Sequence, residues 1–380
     1  MLSKKLTYAF GVLALLAGVW GIYTRLFVGE RDVNYGSYVV WGLWVAMYLF
    51  FAGAATGSYM FATMEYLFNI KLFKGTGKAA LWSALICMPA ALATIGMDLG
   101  HMERIVKVYL SPNPFSLLAQ MVWGYTSFIA VILATMWLVY HNPEAKLTKW
   151  VLSLGLFLAI FLSGGVGALL GVNASRAYWH VGLLPVQFPI FSMATGFALL
   201  MIVLGWFAPK TENRPEQLKV IGIAVVVLLL IKTYFVWSDF SQSIYAGVPQ
   251  NVEAVQAVLF GPYSWQFWIV QIGIGTLLPI LVLTQPKLAG NGAWAGWMGV
   301  FVLVGFAIAR TNIVFPALTI PELEGLATAF TGPHLSFDYS PSLLELSVVS
   351  GVVGGTIIAL LLGFDFKRLN IFTSESEVKQ

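Results

Sequence analysis

Along most of the chain, apolar residues run on for about the twenty positions a membrane-crossing helix requires, then break at short polar stretches. Ten segments reach that length: 6–26, 38–68, 79–100, 115–140, 150–172, 185–207, 218–238, 263–285, 293–315 and 343–363. A closed barrel is the other structure that satisfies its backbone inside lipid, but its strands alternate apolar and polar positions. These runs are continuous. The pattern therefore predicts an all-α integral membrane protein of about ten transmembrane helices.

The polar breaks set the orientation. With the N-terminus inside, Lys4, Lys5, Lys71, Lys74, Lys78, Lys146, Lys149, Lys210, Arg214, Lys219, Lys287, Lys367, Arg368 and Lys379 fall on one side. The opposite side holds only Arg25, Arg31, Arg104, Lys107 and Arg176. The excess of cations on cytoplasmic loops then predicts cytoplasmic termini and a cell inner (cytoplasmic) membrane location. Lys4 and Lys5 precede an apolar run with no small-residue cleavage site before Arg25, so the first span is expected to be uncleaved. The outer connections 101–114, 239–262 and 316–342 are longer than the inner ones and rich in Pro, Asn, Tyr and Trp, where functional chemistry usually sits.

An internal echo suggests two units. Ala55-Thr56-Gly57 and Ala194-Thr195-Gly196 occupy the middles of two spans that both run from outside to inside. Two parallel repeats would produce this, as would small residues recurring at helix contacts. The expected division is a first span and outer loop (1–37), a first four-helix bundle (38–172), a second four-helix bundle (173–315), and an outer loop, last span and tail (316–380).

Composition removes several functions. The chain is 59% hydrophobic and 10% charged, against about 25% charged residues in an average soluble domain. Its formal charge of +4 is scattered through the loops, which speaks against a nucleic-acid partner. Cys87 is the single cysteine, so neither a disulfide nor a cysteine-ligated zinc or iron–sulfur centre can form within the chain. His101, His141, His180 and His334 all lie near or beyond span ends, so no intrinsic haem with two facing axial histidines is expected, and no metal site.

The candidate chemistry lies at the outer ends of the spans. Trp41, Trp44 and Tyr48 share a helical spacing, with small residues one turn deeper; an interfacial aromatic belt is the competing reading. Asp98, His101, Glu103 and Arg104 follow within two turns, and Asp98 with His101 at i, i+3 is expected to meet on one face. Salt bridges from Asp98 or Glu103 to Arg104 or Arg176 would be the structural alternative. Arg176, Trp179 and His180 sit on the same outer side and could converge with His101. Arg310 is expected to pair with a carboxylate from the loop bearing Asp338, Tyr339 and Glu345. Glu65 and Lys232 either mark a proton route or snorkel to the interface.

These residues resemble the NrfD/PsrC-like membrane subunits of respiratory redox complexes. The resemblance covers most of the chain. It rests on Trp41-Gly42 with the small-residue run 52–57, on Asp98-Leu99-Gly100 with Glu103-Arg104 and Pro112-Asn113-Pro114, and on Trp123-Gly124. It continues through Arg176, Trp179, Pro185, Phe188, Gly196, Arg310, Asn312 and Tyr339-Ser340-Pro341-Ser342 with Glu345. It implies a menaquinone or ubiquinone site near the outer face of the first bundle. It also implies a docked ferredoxin-like iron–sulfur subunit, a catalytic redox subunit beyond it, and no redox cofactor in the chain itself. Asp98, with His101, is then the catalytic candidate, and Trp41, Trp44, Tyr48, Arg176 and His180 the quinone-binding ones. Two positions depart from the family pattern: a common Arg-Pro is His101-Met102 here, and a Tyr-Gly late in the fifth span is replaced within Gly164–Gly171.

Quinol oxidation needs an apolar slot, a hydrogen-bond donor to a carbonyl oxygen and an acceptor for each departing proton. Tyr48 or His180 could donate and Asp98 accept. The competing function is a secondary transporter or ion translocator using Glu65, Lys232 and Arg310, and a hybrid would couple quinone chemistry to proton movement through Glu65.

Overall fold

The computed structural model describes residues 4–366 and 369–372. Lys367, Arg368 and Lys379 of the expected inner charge lie outside the described residues. Ten helices are long and apolar enough to span a membrane: α1 (Lys4–Phe27), α2 (Leu43–Tyr66), α3 (Gly77–Asp98), α4 (Leu117–His141), α5 (Lys146–Gly171), α6 (Leu184–Phe207), α7 (Arg214–Ala246), α8 (Gln266–Leu283), α9 (Gly292–Thr319) and α10 (Leu343–Asp365). No strand occurs among the described residues. The chain is a multi-pass integral membrane protein.

The helix ends that moved have local causes. α2 begins at Leu43 rather than 38 because Gly42 is extended, with φ −106° and ψ −152°. α7 runs on to Ala246 and stops where Gly247 adopts the left-handed φ of 70°, with Pro249 opening a short helix just beyond.

Helix contacts form two rings. In one, α2 touches α3 and α5, α3 touches α4, and α4 touches α5; in the other, α6 touches α7 and α9, α7 touches α8, and α8 touches α9. α1 and α10 pack on each other beside α3, and their outward apolar side chains, such as Phe10, Leu13 and Leu362, are exposed as a lipid-facing surface requires.

The rings meet along α2 and α6, at the two echoed motifs. A Cβ on Gly57 would fall on the Ser192 carbonyl, and one on Gly196 would fall on the backbone of Gly57 and Ser58. The backbones therefore touch reciprocally, as small residues permit inside a bilayer where no hydrophobic effect pulls helices together. Each motif's threonine turns its hydroxyl back onto its own helix, Thr56 to the Ala52 carbonyl at 2.9 Å and Thr195 to Phe191 at 2.7 Å. This keeps polar hydrogens out of the crossing.

Candidate functional site

Asp98 is the last residue of α3. Its Oδ1 is shut off from solvent and has no hydrogen-bond partner. Arg25, in the last turn of α1, donates to the carbonyls of Met97 at 2.6 Å and Leu99 at 2.8 Å, and to Glu30 at 2.5 Å. A cation thus caps the negative end of α3 on either side of Asp98. The same guanidinium lies 5.8 Å from the Trp44 ring, and Tyr35 meets Trp44 edge-on with centroids 5.8 Å apart. The Tyr35 hydroxyl is likewise buried without a partner. Burial and the nearby Asp98 and Glu30 carboxylates push the Tyr35 pKa up while Arg25 pulls it down, so the phenol keeps its proton.

Glu345 holds this cluster to α10. It accepts from the Tyr339 hydroxyl at 2.5 Å and from the backbone of Ser342 at 2.8 Å, Asn34 at 3.3 Å and Leu43 at 3.3 Å. Its own carbonyl accepts from Trp44 Nε1 at 3.2 Å. The side chain closes a capping box with Ser342, one of its bonds fixes the start of α2, and together they locate Trp44.

The other expected site residues divide among separate environments. Trp41 lies before the start of α2, so it leaves the face of Trp44 and stacks on Trp179 at 5.4 Å. Tyr48 donates to the Tyr125 hydroxyl at 2.8 Å. Tyr125 in turn lines a narrow pocket with Thr56, Ser163, Phe188, Ser192 and Arg310.

Several expectations are corrected. Asp98 and His101 do not share a helical face, because α3 stops at Asp98; His101 is exposed and pairs with Glu103 at 2.9 Å, with Arg104 3.8 Å from the same carboxylate. His101 and His180 have different partners: His180 Nδ1 lies 2.8 Å from the Gly171 carbonyl at the end of α5. Arg176 pairs with Glu322 at 2.7 Å and donates to the carbonyls of Tyr38, Ala317 and Ile320, tying the outer loops together. Burial pulls its pKa down and Glu322 pulls it back up.

Arg310 has no carboxylate partner among the described residues, since Glu345 is fully engaged and Asp338 is exposed. Its guanidinium lies over Phe188 at 4.1 Å, with Nη1 unpaired. Lys232 is fully buried rather than snorkelling, 3.2 Å from Thr276 Oγ1 and 4.9 Å from the Phe306 ring. Glu65 accepts from the backbone of Gly75 at 2.9 Å, Thr76 at 2.9 Å and Gly77 at 2.6 Å, and so caps the start of α3. Sequence reasoning missed Arg25, Tyr35 and Tyr125, and with them Gln187 and Gln271, two glutamines buried inside the second ring. The two glutamines carried a usable signal, being polar residues inside apolar spans.

The model of the family described as polysulphide reductase, NrfD matches residues 33–322. The chain belongs to the NrfD family. It is 30% identical to a selenate reductase subunit of Mesobacillus selenatarsenatis, over 99% of this chain and 96% of the relative. It is 26% identical to the Hdr-like menaquinol oxidoreductase integral membrane subunit of Archaeoglobus fulgidus, over 93% and 92% of the two. Against the menaquinone reductase integral membrane subunit of Nitratidesulfovibrio vulgaris it is 21% identical, over 95% and 91%. In this NrfD chain the matched stretch contains both rings and Asp98, whereas Arg25 and Glu345 come from flanking helices outside it.

Proposed function

We propose that this NrfD chain is the quinone-interacting membrane subunit of a respiratory redox complex. It exchanges electrons between the membrane quinone pool and a docked ferredoxin-like iron–sulfur subunit, beyond which a catalytic redox subunit acts. The observation that carries this reading is the buried, unpartnered Asp98 Oδ1 beside Tyr35 and Trp44: a free acceptor and a free phenolic donor against an aromatic wall. The names of three relatives point the same way, being those of subunits of a selenate reductase, a menaquinol oxidoreductase and a menaquinone reductase.

Menaquinone or ubiquinone supplies the two-electron, two-proton chemistry. Asp98 would take one of the two protons from a ring hydroxyl during oxidation and return it during reduction, the other exchanging with water at the outer face. Tyr35 donates to a ring oxygen, and Trp44 forms the face against which the ring lies. Arg25 holds the Asp98 end of α3 in place. Trp41, Arg176 and His180 shape the outer rim, and His101, exposed just beyond, passes protons to solvent. Both termini are cytoplasmic, and the site faces the outer side of the inner membrane.

Purification of the tagged chain in mild detergent tests this, with assays for co-purifying subunits, iron and bound quinone. Stoichiometric iron on a cysteine-rich partner together with extractable quinone is expected. A lone protein free of iron and quinone that moves a solute into liposomes would overturn the reading in favour of a transporter.

A further inference from the structure

The connection from α3 to α4 leaves Asp98 through Leu99-Gly100 and folds into two short helical turns, Met102–Val106 and Lys107–Leu110, before Leu117 opens α4. At helical spacing, Ile105, Val106, Tyr109 and Leu110 fall on one face, and Glu103, Arg104 and Lys107 on the other. Both faces are exposed. Leu110 is 78% and Phe115 92% exposed, and Leu118 carries the apolar exposure onto the first turn of α4. An apolar patch of this kind on a protein surface marks a partner or a membrane.

Two hydrogen bonds fix the depth of the segment. The Val108 carbonyl accepts from Trp123 Nε1 at 3.2 Å, and the Tyr109 hydroxyl donates to Thr126 Oγ1 at 2.5 Å, whose own proton goes to the Val122 carbonyl at 2.9 Å. Trp123 and Thr126 lie about 9 and about 14 Å along α4 from Leu117, at about 1.5 Å per residue. The 25 residues of α4 reach about 37 Å against about 30 Å of hydrocarbon, so with the excess shared between its ends the helix enters lipid about 4 Å from Leu117. The segment therefore folds back beside α4 at the membrane boundary instead of standing above it. Thr126 is exposed, in line with Leu118, Leu133 and Trp137 on the side of α4 turned away from the first ring, so Tyr109 rests on lipid-facing surface.

We propose that residues 102–115 form an amphipathic shelf in the outer leaflet, with phospholipid as its occupant. Ile105, Val106, Leu110 and Phe115 lie among acyl chains, and Arg104 and Lys107 face the phosphates. Tyr109 and Trp123 sit at the boundary, where rings with one polar atom collect. A water-borne partner approaches from beyond the outer surface, whereas this apolar face points sideways beside a span. Its continuity with the lipid-facing stripe of α4 selects lipid as what covers it. Because only Leu99, Gly100 and His101 separate Asp98 from the shelf, the shelf also holds the outer end of α3 at the level of the headgroups. The proposal needs only that the chain spans a membrane and stands apart from the quinone reading.

The test places an environment-sensitive fluorophore on Leu110→Cys, Phe115→Cys or Lys107→Cys in the purified complex, held in nanodiscs of phosphatidylcholine and phosphatidylglycerol. The wild-type complex, whose own Cys87 is buried, provides the blank. Probes at 110 and 115 are expected to be quenched by a phospholipid with a nitroxide high on its acyl chain and to be shielded from iodide in water, whereas the probe at 107 is reached by iodide. In the wild type, a phospholipid with a diazirine on its acyl chain should label the peptide spanning 102–118, which decides the question without a variant. Iodide quenching at 110 and 115 would make the segment an aqueous loop and overturn the shelf. Shielding from both quenchers, with no diazirine label, would mean that another subunit covers this face and would overturn it equally. Either result leaves the proposed function standing.

Discussion

Glu345→Gln is expected to loosen the assembly of α2 and α10, and its size follows from the bonds the carboxylate makes. One oxygen accepts from the Tyr339 hydroxyl and the Leu43 N–H, the other from the Ser342 and Asn34 N–H groups. A glutamine turns one of those acceptors into a donor. With its nitrogen toward Ser342 and Asn34, two backbone donors face a third. With it toward Tyr339, the phenol must turn its proton away. At least one buried donor is orphaned, at about 1–3 kcal/mol, and the remaining bonds lose charge assistance worth about 1 kcal/mol each. The sum is about 3–5 kcal/mol. Ser342→Ala removes only a helix cap and should cost about 1 kcal/mol. Thermal unfolding of the two variants in one detergent, at one scan rate, should rank Glu345→Gln well below Ser342→Ala and both below wild type. A Glu345→Gln protein as stable as Ser342→Ala would refute the role given to this carboxylate.

Asp98→Asn should assemble normally yet lower quinol turnover by about the 10²–10⁴-fold that a positioned proton acceptor contributes; unaltered turnover in an assembled complex would remove Asp98 from that role. Gly57→Leu should separate α2 from α6 and cost at least about 1–3 kcal/mol, because the Ser192 carbonyl that would be struck is backbone and cannot step aside, and detergent half-life at fixed temperature reads the loss. Glu65→Ala should destabilise the start of α3 by about 0.5–2 kcal/mol, as removal of a cap does. Glu65→Gln should leave protons released per electron unchanged, and a lower ratio in vesicles would restore Glu65 to a proton route.

The ten spans were legible because a bilayer leaves the backbone few choices: a run of apolar residues long enough to cross must be a helix. The same logic gave the pairing of Ala55-Thr56-Gly57 with Ala194-Thr195-Gly196 as an echo, though only the folded chain shows that the echoes touch each other. Asp98 and Trp44 stood out as a carboxylate and a large ring at an outer span end. Their true neighbours did not, because Arg25, Tyr35 and Glu345 lie far from Asp98 in sequence and meet it only through the packing of α1 and α10. Periodicity misled where a helix ended: Trp41 and His101 share a face with their partners only if α2 begins earlier and α3 ends later than they do. Arg310 misled for an electrostatic reason, since its guanidinium rests on Phe188 instead of a carboxylate.

Electron exchange with the quinone pool bears most directly on the central claim. The complex purified with its native partners is mixed with a reduced quinol analogue or its oxidised form, and the absorbance of the quinone and of the partner's iron–sulfur centres is followed together. The account predicts that the centres change redox state in step with the quinone in at least one direction, and that Asp98→Asn slows both traces equally. Iron–sulfur centres that respond to a soluble mediator but never to quinone, in wild type and variant alike, would contradict it.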